Sequence, residues 1–202
     1  MPRKSESFSR GRSKFQQQPR ILVVCEDSKS AKVYLRDLRR RLGALVDVEH
    51  FGDTSPTKVL KESIRLGKSY DKIFCVLDAD TFAAEKFDPL TSVPLSDRQR
   101  LTIVPSCPCF EYWLLLHFSS TRSSFTSSSL LKALCKEPDM IGYTKGGIDR
   151  YLDILFDNLA VARSNAMLIR VLNEQDGSTS PMTDLDMLVQ HFESLAAPKP
   201  IV

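Results

Sequence analysis

The residues best suited to chemistry end two apolar runs: Glu26 closes ILVVCE, and Asp78 and Asp80 close IFCVLDAD. Each run reads as a buried strand, and each stops on acid. If the two strands lie side by side and point the same way, their carboxyl ends share one edge and the three carboxylates meet there. Carboxylates held that close repel one another unless a proton or a cation lies among them. A hard divalent ion, Mg²⁺ or Mn²⁺, with water completing its shell, is the natural cation for such an all-oxygen set. The Asp-x-Asp alternation helps, because a turn after the strand can bring both side chains toward one ion. Asp53 is a further acid that could lie nearby. Acids after strands also start turns or cap helices and nothing more. What favours a site is the pairing of both acid groups with two buried strands on one edge.

A fourth acid, Glu111, stands inside CFEYWLLLHF among Phe110, Tyr112, Trp113, Leu114, Leu115, Leu116 and Phe118. A buried carboxylate in such a helix is costly unless it is paired. Glu111 is therefore a further metal ligand, the partner of a basic residue, or an acid on the solvent side of the helix. His117, six residues on in the same apolar segment, is a candidate substrate contact beside the plainer reading of a satisfied helix histidine. Lys29, Arg36 and Lys145, the last with Tyr143 in GYTKGG, could contact substrate phosphates, although lysine is also the ordinary surface residue. Trp113 and its neighbouring phenylalanines read as core, and Asp184 and Asp186 as helix-start acids. Cys107 and Cys109 with His117 lack both the usual zinc spacing and a fourth ligand. No motif supports a Ser-His-Asp or Cys-His hydrolase.

The elements that must position these groups follow from periodicity. After the first strand, Ser28 to Leu42 places Val33, Leu35, Leu38 and Leu42 toward a core and spreads Lys29, Lys32, Arg36, Arg39, Arg40 and Arg41 over a basic outer face. Gly43 ends this helix. Residues 44 to 51 alternate as a half-buried strand, and Ser55 with Pro56 opens a second helix as cap and first turn. Residues 71 to 80 form the next strand, and RLTIVPS a fourth. Helix-length crossovers between strands predict a parallel sheet covered on both faces. From residue 108 onward the pattern is helical, with segments around Leu130 to Lys136, Ile148 to Asn158, Leu159 to Asn173 and Asp184 to Ser194. The expected organisation is a basic arm over residues 1–19, an α/β core over 20–107 and an all-helical extension over 108–202. That extension could dimerise or fold back as a lid.

The chain has 202 residues, enough to bury a substantial core, and a net charge of only +3. That excess is concentrated in the first twenty residues, where Arg3, Lys4, Arg10, Arg12, Lys14 and Arg20 face a single acid, Glu6. Such a Ser- and Gln-rich basic stretch is a solubilising tail or an electrostatic arm for nucleic acid phosphates. Nothing resembles a signal peptide or a membrane span, and the five cysteines suit a reducing compartment, so a cytoplasmic location is expected.

Glu26 after the first strand and Asp78-x-Asp80 after the third resemble the Toprim domain of topoisomerases, primases, the ribonuclease that matures 5S rRNA and the overcoming-lysogenization-defect nucleases. This likeness covers about residues 20 to 107. A closer one spans most of the chain: the basic arm, the VCED turn, the Asp-x-Asp and SCPCFEYWLLLHF, Ser106 to Phe118, resemble the RloB-like proteins of prokaryotic defence loci. The departures are Asp27 for the usual glycine, Ser28 and Ala31 where glutamates are common, and Cys107 where asparagine is common. They fall on substrate fit and on the surroundings of the metal more than on the core carboxylates.

The resemblance implies a Toprim-like parallel sheet flanked by helices, and a metal-dependent nuclease acting in abortive infection. In it Asp78 and Asp80 hold Mg²⁺ or Mn²⁺, and Glu26 serves as general acid, general base or shared ligand. It also implies a nucleic acid substrate, RNA such as tRNA ahead of DNA, and a partner ATPase that senses infection. The competing reading is a regulatory module that binds nucleic acid or protein and has no turnover.

Overall fold

The computed structural model describes residues 19–52 and 55–196. Asp53 and all but the last residue of the expected basic arm lie outside them. The chain runs β1 (Ile21–Cys25), α1 (Ala31–Leu42), β2 (Val46–Glu49), α2 (Pro56–Leu66), β3 (Lys72–Asp78), α3 (Phe82–Glu85), α4 (Pro89–Ser92) and β4 (Leu101–Cys107). It continues through α5 (Glu111–Leu115), α6 (Ser127–Leu134), α7 (Leu152–Asp157), α8 (Leu159–Asp176), β5 (Met182–Thr183) and α9 (Leu185–Leu195). The strands form one sheet in the order β2-β1-β3-β4-β5, parallel from β1 to β4, with β5 antiparallel to β4. This is the α/β architecture expected, with β1 and β3 as central neighbours.

Burial on both faces explains why β1 and β3 are continuous apolar runs. Ile21, Val23, Cys25, Phe74, Val76 and Val104 point to one face. Leu22, Val24, Ile73, Cys75, Leu77 and Leu101 point to the other, with Val59 and Leu60 of α2 and with Phe87 and Val93. The first face is closed by α1 together with the helices of the second half, including fully buried Trp113, Leu155, Ile169 and Phe192. The chain therefore changes secondary structure near residue 108, but its packing crosses that point, and β5 extends the same sheet from the far side.

Local details differ from expectation for identifiable reasons. α1 starts at Ala31, three residues later than expected, because the Asp27 carboxylate accepts the backbone N–H groups of Lys29, Ser30 and Ala31 and folds them into a turn. Gly43 ends α1 in a left-handed conformation, φ 68°, as expected. Pro56 does open α2, but the Ser55 side chain makes no cap and donates instead to Glu85. Gly67 is needed for close approach, since a Cβ there would lie 2.2 Å from Cδ1 of Ile73. The helix expected over CFEYWLLLHF is only Glu111–Leu115 before the chain loosens into turns. Among the described residues, no helix is long and apolar enough to cross a membrane.

Candidate active site

The parallel register of β1 and β3 brings two of the expected acids together. Cys25 lies opposite Val76, and the Glu26 N–H donates to the Val76 carbonyl at 3.0 Å, one more rung of the ladder. The Glu26 side chain turns back along the edge, where its Oε2 accepts the Asp78 N–H at 2.9 Å. Glu26 is 6% exposed. Burial pushes its carboxyl up to about 8, helped by the charges of Asp78, Asp80 and Glu85 and opposed by the Asp78 N–H. Asp78 accepts the Phe110 N–H at 2.9 Å. Burial, with smaller contributions from Glu111 and Asp80, raises it to about 7 against the pull of Lys145 and of the Phe110 N–H.

Asp80 follows the strand in a short 3-10 turn, exposed, with its N–H on the Pro108 carbonyl at 3.0 Å. Its carboxylate accepts the Ser127 hydroxyl at the start of α6. The three acids thus share an edge, as expected, but Asp80 is drawn aside. Among the described residues no three His, Cys, Asp or Glu side chains form a ready ligand set. The chemistry of the donors still fits a hard cation. Glu26 and Asp78 are neighbouring carboxyls whose proton affinities are raised by burial and by like charge, a condition that a divalent ion relieves.

Glu111 is fully buried and is the partner of a basic residue. Its Oε2 lies 3.1 Å from Nζ of Lys145, and Cys109 donates to the same oxygen at 3.1 Å. Its Oε1 accepts from Ser30 at 3.0 Å and from Tyr143 at 3.4 Å. With both oxygens engaged, Glu111 holds the lysine. Burial alone would lower the Lys145 ammonium, but Glu111 and Asp78 outweigh it and the net shift is upward. Lys145 is about one-third exposed, so a buried anchor fixes a partly exposed cation beside Asp78.

Two expected substrate contacts are elsewhere. His117 is 1% exposed, with Nδ1 on the Trp113 carbonyl at 2.9 Å and Nε2 on the Tyr34 hydroxyl at 3.1 Å. It is a satisfied core histidine, lowered to about 4 by burial, and touches no solvent. Arg36 is exposed on α1 and lines a separate cleft of about 710 Å³ with Arg39, Arg40, Asp37, Asp149 and Asp153. Lys29 is exposed in the turn after β1, where its backbone N–H donates to Asp27. Asp184 and Asp186 do begin α9, but both also face Arg170, with Asp186 Oδ1 2.6 Å from the guanidinium.

Sequence reasoning missed Ser30, Cys109 and Ser127, which position Glu111 and Asp80. Their contacts to Glu111 and Asp80 span 81, 2 and 47 residues, and no local pattern pointed to any of the three.

Comparison with curated proteins and with solved structures gives no significant match. The family model described as "RloB-like protein" matches residues 21–192, a span that includes the sheet, the acid edge and the helices that close it. The chain belongs to the RloB-like family.

Proposed function

We propose that this chain is a divalent-metal-dependent nuclease of a prokaryotic anti-phage, abortive-infection system, cleaving phosphodiester bonds in RNA such as tRNA ahead of DNA. The observation that carries this reading is the pair Glu26 and Asp78 on adjacent strand ends, joined through the Asp78 N–H and bordered by Asp80 and Lys145. Open α/β sheets place their ligands at this carboxyl edge.

Asp78 and Asp80, with Glu26 as a shared ligand, would hold Mg²⁺ or Mn²⁺, which when bound supplies a polarised phosphate oxygen and a more acidic water. Glu26, with a proton affinity close to neutral pH, can give or take a proton beside the scissile bond. Lys145 meets the phosphate charge, and Glu111, engaged with it from below, is a positioning residue. Lys29, exposed in the turn after β1, would contact the nucleic acid backbone. The reading includes a cytoplasmic protein, a partner ATPase and a homodimer.

One observation favours a second reading, a regulatory module that binds nucleic acid or protein without turnover: Asp80 is bonded to Ser127, and the described acids do not form a ready metal cluster. The deciding experiment incubates wild type and a Glu26→Ala, Asp80→Ala double variant with total tRNA and with plasmid DNA in Mg²⁺, Mn²⁺ or EDTA. Metal-dependent cutting by the wild type alone is the expected result, and the polymer cut identifies the substrate. Binding that survives EDTA, without cutting, would sink the nuclease reading.

A further inference from the structure

One strand beyond the acids, a cavity of about 390 Å³ lies between α8 and the segment from Gly177 to Asp184. Its floor is apolar, formed by Leu116, Ala166 and Ile169, and Arg170, Thr179 and Asp184 bring polar atoms to it. The ladder fixes its distance from the acids. Asp78 lies opposite Ser106 on β4, Ser106 lies opposite Thr183 on β5, and their two hydroxyls are 2.7 Å apart. Two strand spacings place Thr183, on the cavity wall, about 10 Å from Asp78. Because β5 runs antiparallel to β4, Met182 and the residues before it lead past the carboxyl edge on which the acids sit.

The start of α6 and the linker ahead of it touch the two places between them. Ser127 holds Asp80, while upstream Arg122 donates to Oδ1 of Asn173, another wall residue, at 2.8 and 3.1 Å. The Thr121 carbonyl accepts the hydroxyl of Tyr112, also on the wall, at 2.9 Å.

Resting on the nuclease reading, we propose that this cavity is a nucleobase subsite, receiving one unstacked base of the strand whose phosphate lies at Asp78 and Asp80. An apolar slot with a few convergent polar groups is the usual form of a small-molecule pocket, and this one is within the usual size range. Proteins that read or act on single-stranded bases splay them out, pack them against apolar side chains and hydrogen-bond their edges. Asp184 has the capacity to do so. Arg170 reaches Asp186 at 2.6 Å but Asp184 only at 3.5 Å, which leaves the Asp184 carboxylate able to accept an exocyclic amine. An aliphatic occupant would desolvate that carboxylate with only the long 3.5 Å contact to Arg170 to compensate, at a cost a base avoids.

The test titrates the full chain, methyl-labelled at Met, Ile and Ala, with adenosine, guanosine, cytidine and uridine, none of which carries a phosphate. With at least one nucleoside the Met182, Ala166 and Ile169 signals shift and saturate, and they do so equally in Asp80→Asn. Thr179→Trp, at an exposed position, weakens this binding about tenfold or more. No shift at these methyls in the wild type, or an unchanged affinity in Thr179→Trp, overturns the subsite. On a randomised single-stranded RNA the wild type prefers one base beside the cut, and Thr179→Trp still cuts but loses the preference. If the wild type cuts no RNA, the nuclease reading fails separately, because the nucleoside titration is read without turnover.

Discussion

Replacing Glu26 by glutamine tests whether the acid edge carries the electrostatic load its geometry implies. In the folded chain the Glu26 carboxyl is raised from 4.5 to about 8, chiefly by burial. Each tenfold change in proton affinity corresponds to about 1.36 kcal/mol, so ionising Glu26 in the folded state costs at most about 5 kcal/mol. Water reaching the exposed Asp80 side of the edge screens part of this, leaving an effect on the order of 2 to 3 kcal/mol. The sign follows from proton counting. Between pH 4.5 and about 8 the folded chain keeps a proton that the unfolded chain has released, so stability falls as pH rises through that window. Glutamine can still accept the Asp78 N–H through its carbonyl but has no proton to lose. Denaturant midpoints from pH 5 to pH 9 should therefore decline for the wild type and stay flatter for Glu26→Gln, which is the more stable protein at pH 9. Mg²⁺ at pH 8 should raise the wild-type midpoint more than that of the variant, because ligand binding to the folded state adds stability. Parallel pH profiles for the two proteins would refute this account of the edge.

Three further outcomes follow from the same geometry. Lys145→Met leaves the fully buried Glu111 without its cation and should cost about 3 kcal/mol by denaturant unfolding, whereas Glu111→Gln, still able to bond Ser30 and Tyr143, should cost less. Asp80→Asn should lower metal-dependent cleavage by about a hundredfold or more while leaving the thermal midpoint nearly unchanged, since Asp80 is exposed. Imidazole signals of His117 should stay constant between pH 5.5 and 8, because its proton affinity is lowered to about 4 by burial. The linked stability is fully present above the ordinary value of 6.5 and is lost as pH falls toward 4.

The strands were legible because each central one is buried on two faces and therefore reads as a continuous apolar run. That same fact made Glu26 and Asp78 stand out where the runs stop. The length of β5 hid it: two residues antiparallel to β4 carry no periodicity. α5 looked twice as long as it is because Leu116, His117 and Phe118 are apolar or buried for tertiary reasons, packing as turns against the shared core. Glu111 could be recognised as an acid in need of a partner. That the partner is Lys145, with Ser30 beside it, depends on pairings 34 and 81 residues apart, which no local pattern encodes. Asp80 was expected to turn inward with Asp78, but the first turn of α6 supplies a hydroxyl that competes for it.

The way the helices of the second half close the sheet also sets an order of events during synthesis. Glu26, Asp78 and Asp80 leave the ribosome first, whereas the Phe110 N–H, Ser127, Glu111 and Lys145 that hold or flank them all come later. α9, whose His191 ring lies 5.1 Å from the Phe74 ring, follows later still. At a translation rate of about 5 to 20 residues per second, the acids spend several seconds outside the ribosome without their partners. For a chain proposed to cut RNA, that delay leaves the edge incomplete during its first seconds beside a large RNA machine.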